Sequence, residues 1–244
     1  MKIKKNQDAF GGEILDYYNG IRGIQEIVER NDGFISTGGG PASYFNPYPK
    51  WPSHQKKGIK FVRGKALDIG CGAGRVSLHL QQKGLEVLGI DTSPLAVKVC
   101  RLRGVKNIKI MSVTEIDTSL GQFDTIVMYG NNFGLLGSLN RGRWLLKRFY
   151  KMTSDKGRII AESCNPYLTK EPDHLAYHRY NRKHGRMSGQ LRLRVRYKKL
   201  TTPWFDYLLA SPDEVRKIIR DTGWKLSQLF ETPSGPYVMI LEKE

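Results

Sequence analysis

The residues with the plainest chemical capacity lie in one short run, Lys65-Ala-Leu-Asp68-Ile-Gly70-Cys71-Gly72-Ala-Gly74, followed by Arg75. An apolar stretch ending near a carboxylate and then a glycine loop lets the main chain turn sharply and lets a ligand approach the backbone. A helix opening at Arg75 puts its N-terminus at the carboxyl edge of a sheet, where open α/β folds bind ligands. A second acid, Asp91, closes Val87-Leu-Gly-Ile-Asp91 and is followed by Thr92. A carboxylate there can accept both hydroxyls of a ribose, so the two segments together ask for an adenosine-like ligand.

Charge separates the candidate ligands. A dinucleotide fingerprint is Gly-x-Gly-x-x-Gly and seats a pyrophosphate on the helix N-terminus. Here the spacing is Gly70-x-Gly72-x-Gly74, with Asp68 just ahead of it. Two unit charges about 5 Å apart at an effective dielectric near 20 interact by roughly 3 kcal/mol, so a carboxylate beside a diphosphate is a poor arrangement. S-adenosylmethionine has no phosphate and carries an ammonium and a sulfonium that an acid favours.

These residues need a scaffold that alternates strand and helix, the mark of a parallel sheet covered on both faces. Strands are expected at Lys65–Ile69, Glu86–Ile90, Asn107–Met111, Phe123–Tyr129 and Arg158–Glu162, with helices near Arg75–Lys83, Pro94–Arg103 and Arg141–Lys151. Ser93 suits an N-cap, with Pro94 at the first helical position. Ser211-Pro-Asp-Glu214 is a capping box opening a helix that Gly223 ends. Trp224–Phe230 and Tyr237–Leu241 are joined by Thr232-Pro-Ser-Gly-Pro236, too short for a crossover, so they must be antiparallel. The expected fold is α/β, a doubly wound seven-stranded mostly parallel sheet with an antiparallel C-terminal strand.

Ahead of that sheet, Glu13–Arg30 has apolar residues roughly at helical spacing, and Asn31–Ser53 is rich in Gly, Pro and aromatics, which suits an irregular lid. The expected organisation is residues 1–60 as N-terminal helix and lid and 61–244 as the main domain, interrupted by an insertion at about 164–210.

Asp68-Ile-Gly-Cys-Gly-Ala-Gly74, Gly89-Ile-Asp91-Thr-Ser-Pro94, Phe123-Asp124 and the reversed terminal strand together resemble the class I S-adenosylmethionine-dependent methyltransferases, over about Lys65–Glu244. The resemblance implies that Asp68, Gly70, Cys71, Gly72, Gly74 and Arg75 lie at the methionine part of the cofactor, Asp91 and Thr92 at the ribose, and Tyr129 at the next strand tip. It places adenine beside Val113, Thr114 or Glu115, although the family's usual acid after a glycine is replaced here by Ser112-Val-Thr-Glu115. The fourth strand ends in Tyr129-Gly-Asn131-Asn132-Phe133, where substrate meets the methyl group in such a fold. This looks more like small-molecule N- or O-methyltransferases, including the glycine N-methyltransferase group, than the Asn-Pro-Pro-Tyr enzymes.

Methyl transfer from a sulfonium is an in-line displacement, so alignment of the reactants is the main demand and a general base is optional. Asn131 and Asn132 could orient substrate or cofactor through their amides, or they could cap a turn. Tyr129, Tyr177 and His178 are the candidate bases. His174 and His178 are four apart, as a metal pair would be, but no third ligand follows at motif spacing, so no metal is expected.

The chain has 244 residues, 39% hydrophobic and 26% charged, which suits one soluble domain with additions. No apolar run nears the roughly 18 residues of a membrane span, and the lysine-rich start is unlike a signal peptide, so a cytoplasmic protein is expected. Three cysteines, Cys71, Cys100 and Cys164, are expected as free thiols. The net charge of +17 attracts polyanions, or serves solubility alone. Arg179 to Lys199 holds nine basic residues and no acid, and Leu191-Arg-Leu-Arg-Val-Arg-Tyr197 alternates so that Arg192, Arg194 and Arg196 share one strand face. That face suits RNA phosphate, an anionic group on a small substrate, or a solvated edge. Trp204 to Tyr207 could wall the pocket or pack in the core. Three functions stay open: a methyltransferase for a small-molecule acceptor, an RNA methyltransferase, and a non-catalytic adenosine-cofactor-binding protein.

Overall fold

The computed structural model describes residues 3–244; Met1 and Lys2, the first of the lysine-rich start, lie outside the described residues. Along the chain come α1 (Ala9–Tyr18), β1 (Ile27–Arg30), β2 (Ile35–Thr37), α2 (Ser53–Ile59), β3 (Ala66–Ile69), α3 (Arg75–Gln82), β4 (Val87–Asp91), α4 (Pro94–Leu102) and β5 (Ile108–Ile110). They are followed by β6 (Phe123–Met128), α5 (Leu139–Met152), β7 (Thr153–Cys164), α6 (Pro172–Lys183), β8 (Gln190–Tyr197), β9 (Leu200–Thr201), β10 (Phe205–Leu208), α7 (Pro212–Ile219), β11 (Trp224–Glu231) and β12 (Pro236–Lys243).

Seven strands form one sheet in the order β11-β12-β7-β6-β3-β4-β5. β4 with β5 and β6 with β7 run parallel, whereas β12 is antiparallel to both β7 and β11. This is the expected α/β sheet with a reversed terminal strand. Leu67, Ile69, Ile126, Val127 and Met128 are fully buried, as strands covered on both faces require.

The chain divides into two compact units, one comprising 1–51, 67–116 and 192–205, the other 52–66, 117–191 and 206–244. In the first, Asp8 caps α1 by accepting from Gly11 N–H at 3.0 Å and accepts from Leu95 N–H in the first turn of α4 at 2.9 Å. One carboxylate thus joins the two helix starts. The expected helix over Glu13–Arg30 needs correction: α1 begins at Ala9 and stops at Tyr18, since Gly20 and Gly23 take φ values of +97° and +67°. Val28 consequently lies in a strand that pairs with both β2 and β8. The irregular segment Asn31–Ser53 likewise contains β2 and two 3-10 turns, at Pro41–Phe45 and Tyr48–Lys50.

A further correction concerns the arginine strand. β8 is no solvated edge, because it sits between β10 and β1 in a second, smaller sheet. Arg194 makes a two-pronged contact with Glu29 at 2.7 and 2.9 Å, and Arg196 pairs with the same carboxylate. The Arg194 guanidinium also covers the Trp204 ring at 4.7 Å.

In the second unit the helix starts follow the sequence signals. Ser211 Oγ accepts from Glu214 N–H and Glu214 Oε2 accepts from Ser211 N–H, closing the capping box of α7. Buried Trp224 donates from Nε1 to the Leu146 carbonyl at 2.9 Å, and buried Tyr237 donates to the Ala210 carbonyl.

Gly74 has φ +80°, and a Cβ there would lie 2.6 Å from Val105 Cγ2 and 3.1 Å from Cys100 Sγ. Gly74→Ala should therefore cost about 2–4 kcal/mol, the left-handed backbone and the overpacking adding together. Urea denaturation of the two proteins measures this, and a loss below 1 kcal/mol would contradict the geometry.

Candidate active site

In the first unit the glycine loop hangs from β4: Gly70 and Cys71 both donate to the Ile90 carbonyl, at 2.9 and 3.1 Å. Gly70, Gly72 and Gly74 all have positive φ, so the loop folds back on itself three times within five residues. Asp91 then fastens it, accepting from Gly72 N–H on Oδ2 and from Ser93 N–H on Oδ1, each at 2.9 Å. Asp68, at the end of β3, is buried and accepts from Ser77 Oγ at 2.7 Å. Burial, against the pull of Ser77 and the Arg75 charge, pushes the Asp68 carboxyl up to about 6. Asp91 is raised as well, first by burial, and its two main-chain donors only partly offset this.

The N-terminal segment covers this loop. Tyr44 lies where a Cβ on Gly72 would come within 3.2 Å of its ring, so only glycine leaves the ring in place. Arg103 reaches from the end of α4 to the carbonyls of Ala73 and Tyr44, tying loop and cover together. The Arg75 guanidinium stacks on Trp51 at 4.5 Å, and Tyr48 stacks on His79 with ring centroids 4.5 Å apart. The aromatics of Asn31–Ser53 thus do cover something, as their composition suggested.

Beneath the cover is a pair of acids that sequence reasoning missed. Glu13 on α1 is 0% exposed and neither carboxyl oxygen has a conventional donor. Burial, then the charge and shared proton of Glu26, push Glu13 up to about 9. Glu26 itself accepts from Gly40 N–H at 3.0 Å, which fixes the Gly38–Gly40 turn. Burial first, and then the charges of Glu13, Glu26 and Asp91, raise the Tyr44 hydroxyl. Of the residues expected near adenine, Val113 is buried, Thr114 Oγ1 meets Ser112 Oγ at 2.9 Å, and exposed Glu115 accepts from Ser112 N–H at 2.9 Å, capping its own turn. Thr92 is half-buried after Asp91, while Cys71 is buried among Cys100 and Val105.

The second unit gathers a different set. Glu162, near the end of β7, is 4% exposed and accepts from His54 Nε2 at 2.8 Å, Gln55 Nε2 at 2.8 and 3.0 Å and Gly130 N–H at 2.6 Å. Burial raises its carboxyl, but these donors together outweigh burial and leave it below the usual glutamate value, so it is ionised. Tyr129 donates to the Gln55 carbonyl at 2.8 Å, which engages its hydroxyl in holding α2. Asn131 has φ +60° at the start of the 3-10 turn Asn132–Leu136 and makes no side-chain cap; its carbonyl accepts from Tyr207 Oη at 2.5 Å. Asn132 opens that turn.

Tyr129, Asn131 and Asn132 are therefore adjacent to one buried carboxylate, whereas His178 packs on Tyr167 with centroids 6.0 Å apart and Tyr177 is buried beside Tyr180 on α6. The histidine tied to the Tyr129–Asn131 stretch is His54. A glutamate closing the fifth strand of the alternation, and a His-Gln pair at a helix start, were the available signals. His174 bonds Thr169 Oγ1 at 3.0 Å. Among the described residues no three His, Cys, Asp or Glu side chains gather as metal ligands would, and no helix is long and apolar enough to cross a membrane.

Residues 66–157 match a family model described as a methyltransferase domain. A solved S-adenosylmethionine-dependent methyltransferase of Bacteroides fragilis, in complex with S-adenosylhomocysteine, superposes with a TM-score of 0.84 at 24% identity, covering 100% of this chain and 98% of that one. Bacillus subtilis YqeM, which bears the name of a methyltransferase, is 26% identical over 129 residues, 51% of this chain and 52% of its own. A tRNA (uracil(54)-C(5))-methyltransferase of Pyrococcus furiosus is 27% identical over 68% of this chain and 39% of its own. A ubiquinone biosynthesis O-methyltransferase of Xanthomonas oryzae is 34% identical over 28% of this chain and 31% of its own. The chain spans about half the length, or less, of these curated relatives.

The buried Glu13 has a measurable consequence. With its carboxyl raised to about 9, the folded state keeps a proton that the unfolded chain loses near the ordinary 4.5, so stability falls as pH rises through that window. Glu13→Gln removes the titration and should flatten this slope, leaving the variant close to the parent at pH 4 and more stable than it at pH 9. Chemical denaturation at both pH values tests it; parallel stability curves would refute a protonated Glu13.

Proposed function

We propose that the chain is a class I S-adenosylmethionine-dependent methyltransferase, supported by the methyltransferase-domain model that matches residues 66–157 and by the shared fold, and that it methylates nitrogen or oxygen on a small molecule. When bound, S-adenosylmethionine supplies a methyl group on a positively charged sulfur. The first unit's donor set fits such a ligand. Asp68 and Asp91 raise the cost of each other's charge, and Glu13 and Glu26 add further carboxyl groups around Tyr44. A cation relieves that crowding, whereas a diphosphate would add to it by roughly 3 kcal/mol at about 5 Å.

In this reading Asp91 holds the ribose hydroxyls, since its oxygens have spent only one main-chain donor each. The glycine loop, Cys71 and Arg75 lie against the methionine part, Thr92 beside the ribose, and Val113, Thr114 and Glu115 near adenine. The observation that carries the assignment is Asp91 clamped to Gly72 and Ser93, which presets a carboxylate at the loop before any ligand arrives. Residues 1–60 serve as a cover that excludes water, and 61–244 carry the catalytic domain. Free thiols at Cys71, Cys100 and Cys164 suit the reducing cytoplasm.

A small acceptor is preferred to RNA because Arg194 and Arg196, two of the three arginines that would meet phosphate on β8, are bonded to Glu29. The +17 charge favours the RNA reading. Copurified RNA, with affinity falling steeply as salt rises, would establish it in place of the small acceptor.

Asp91→Ala should weaken S-adenosylhomocysteine more than tenfold in titration calorimetry while circular dichroism shows a folded protein. Affinity unchanged in the folded variant would remove the ribose assignment, and tight NAD binding by the parent would remove the cofactor.

A further inference from the structure

The net charge of +17 is unevenly placed, and part of it stands on one helix face of the second unit. α5 carries Arg141, Arg143, Lys147, Arg148 and Lys151 and no acid. Its inner side is committed to the core: Leu145, Leu146, Phe149 and Met152 are buried, and the Leu146 carbonyl accepts from Trp224. Helix geometry sets the opposite side. At roughly 100° per residue, Trp144, Lys147 and Lys151 fall within about 60° of one another around the axis, and all three are exposed.

A neighbouring helix widens this face. Arg143 donates to the Lys217 carbonyl in the last turn of α7 at 2.9 Å, which fixes the two helices against each other. Lys217 and Arg220 are exposed there. The Arg148 charge acts on Asp117, and Asp213 pairs with Arg216. Among the described residues, however, Lys147, Lys151, Lys217 and Arg220 make no ion pair. Lys147 lies one helical turn from both Arg143 and Lys151, a spacing at which like charges repel, so α5 gains no stability from these cations. The arginines of β8 differ, since Arg194 and Arg196 are bonded to Glu29.

Trp144 stands among the unpaired lysines, 45% exposed, with the Arg148 guanidinium 4.6 Å from its ring. Trp51 and Trp224 are buried and Trp204 is half-buried under Arg194. Solubility alone calls for no exposed indole. An indole ringed by lysine and arginine suits the boundary of a lipid bilayer, where the ring meets an apolar layer and the cations meet phosphate. Protein interfaces are depleted in lysine, so a protein partner fits this composition poorly. A nucleic-acid strand asks for aromatic rings in series to stack its bases. The other exposed ring on α5, Tyr150, is engaged by Trp224 and by the Lys243 ammonium.

We propose that the outer face of α5 and the end of α7 dock the protein on a bilayer that carries anionic lipids, Trp144 entering the headgroup layer while Lys147, Lys151, Lys217 and Arg220 meet lipid phosphates. The contact is peripheral, because α5 keeps its apolar side in the core. It is independent of which molecule is methylated.

Sedimentation of the full chain with vesicles tests this. The protein should pellet with phosphatidylcholine vesicles that contain phosphatidylglycerol, stay in solution with phosphatidylcholine alone, and be released by salt. Each cation near an anionic surface is worth roughly fivefold in affinity, so Lys147→Gln, Lys151→Gln and Lys217→Gln together should weaken binding about 100-fold. Removing three exposed cations elsewhere in the unit, by Arg179→Gln, Lys183→Gln and Arg186→Gln, should change it by less than about threefold, because charges away from the contact are screened. The emission of Trp144 should move to the blue on anionic vesicles, and Trp144→Phe should abolish that shift. Failure to pellet, equal losses in the two triple variants, or an unmoved Trp144 emission would each overturn the proposal. Oligouridylate bound more tightly than the anionic vesicles would overturn it in favour of RNA.

Discussion

The structure depends on carboxylates buried where a strand or helix meets a loop, each accepting main-chain N–H groups from the segment it must hold. Removing a carboxylate from water is costly unless hydrogen bonds replace its hydration. Asp8 meets that demand with Gly11 and Leu95, Asp91 with Gly72 and Ser93, and Glu162 with Gly130, His54 and Gln55. Because a side chain on a regular element is nearly fixed, the loop it grips inherits that rigidity. The glycines supply the complementary half: only residues free to adopt positive φ can turn their N–H groups back toward such an acid within so few positions.

This explains what was legible in the amino-acid order. Asp68, Asp91 and the glycines are local: strand, acid and turn lie within a few residues, and their spacing carries the geometry. The same holds for Ser93 and Ser211, whose caps are formed with residues three positions on. The Glu162 cluster was not legible, because His54 and Glu162 are 108 positions apart and meet only through tertiary packing. Glu13 was hidden for a different reason. A helix reading that runs to Arg30 puts Glu13 and Glu26 on one continuous helix, whereas Gly20 and Gly23 end the helix and let the chain return as β1 with Glu26 facing the glycine turn.

The positive charge looks different once pairing is counted. Glu29 takes both Arg194 and Arg196, Asp16 takes Lys198 and the Tyr197 hydroxyl, and Asp32 takes Arg30. The alternation on β8 did place its arginines on one face, as period-two geometry requires. What the alternation could not reveal was that β1 would lie alongside with a carboxylate in register, Glu29 opposite Arg194. A basic run with no acid of its own was therefore neutralised in part from another part of the chain.

Asp91 and Glu162 are both carboxylates near the ends of strands of the main sheet, yet the protein treats them oppositely, and the difference is a matter of donors. Glu162 collects two side chains and the main-chain N–H groups of Gly130 and Asn131, enough to outweigh burial, and it stays an anion with its environment complete. Asp91 has two main-chain donors, and with Asp8 among the charges acting on it, its carboxyl stays above the ordinary aspartate value. An acid whose neighbours already satisfy it is an anchor; adding a ligand there would displace bonds of equal worth. An acid left short of donors gains from any hydroxyl pair brought to it, because each new bond is formed without breaking an old one. In both units rigidity is thus found where a buried carboxylate has its hydrogen bonds complete.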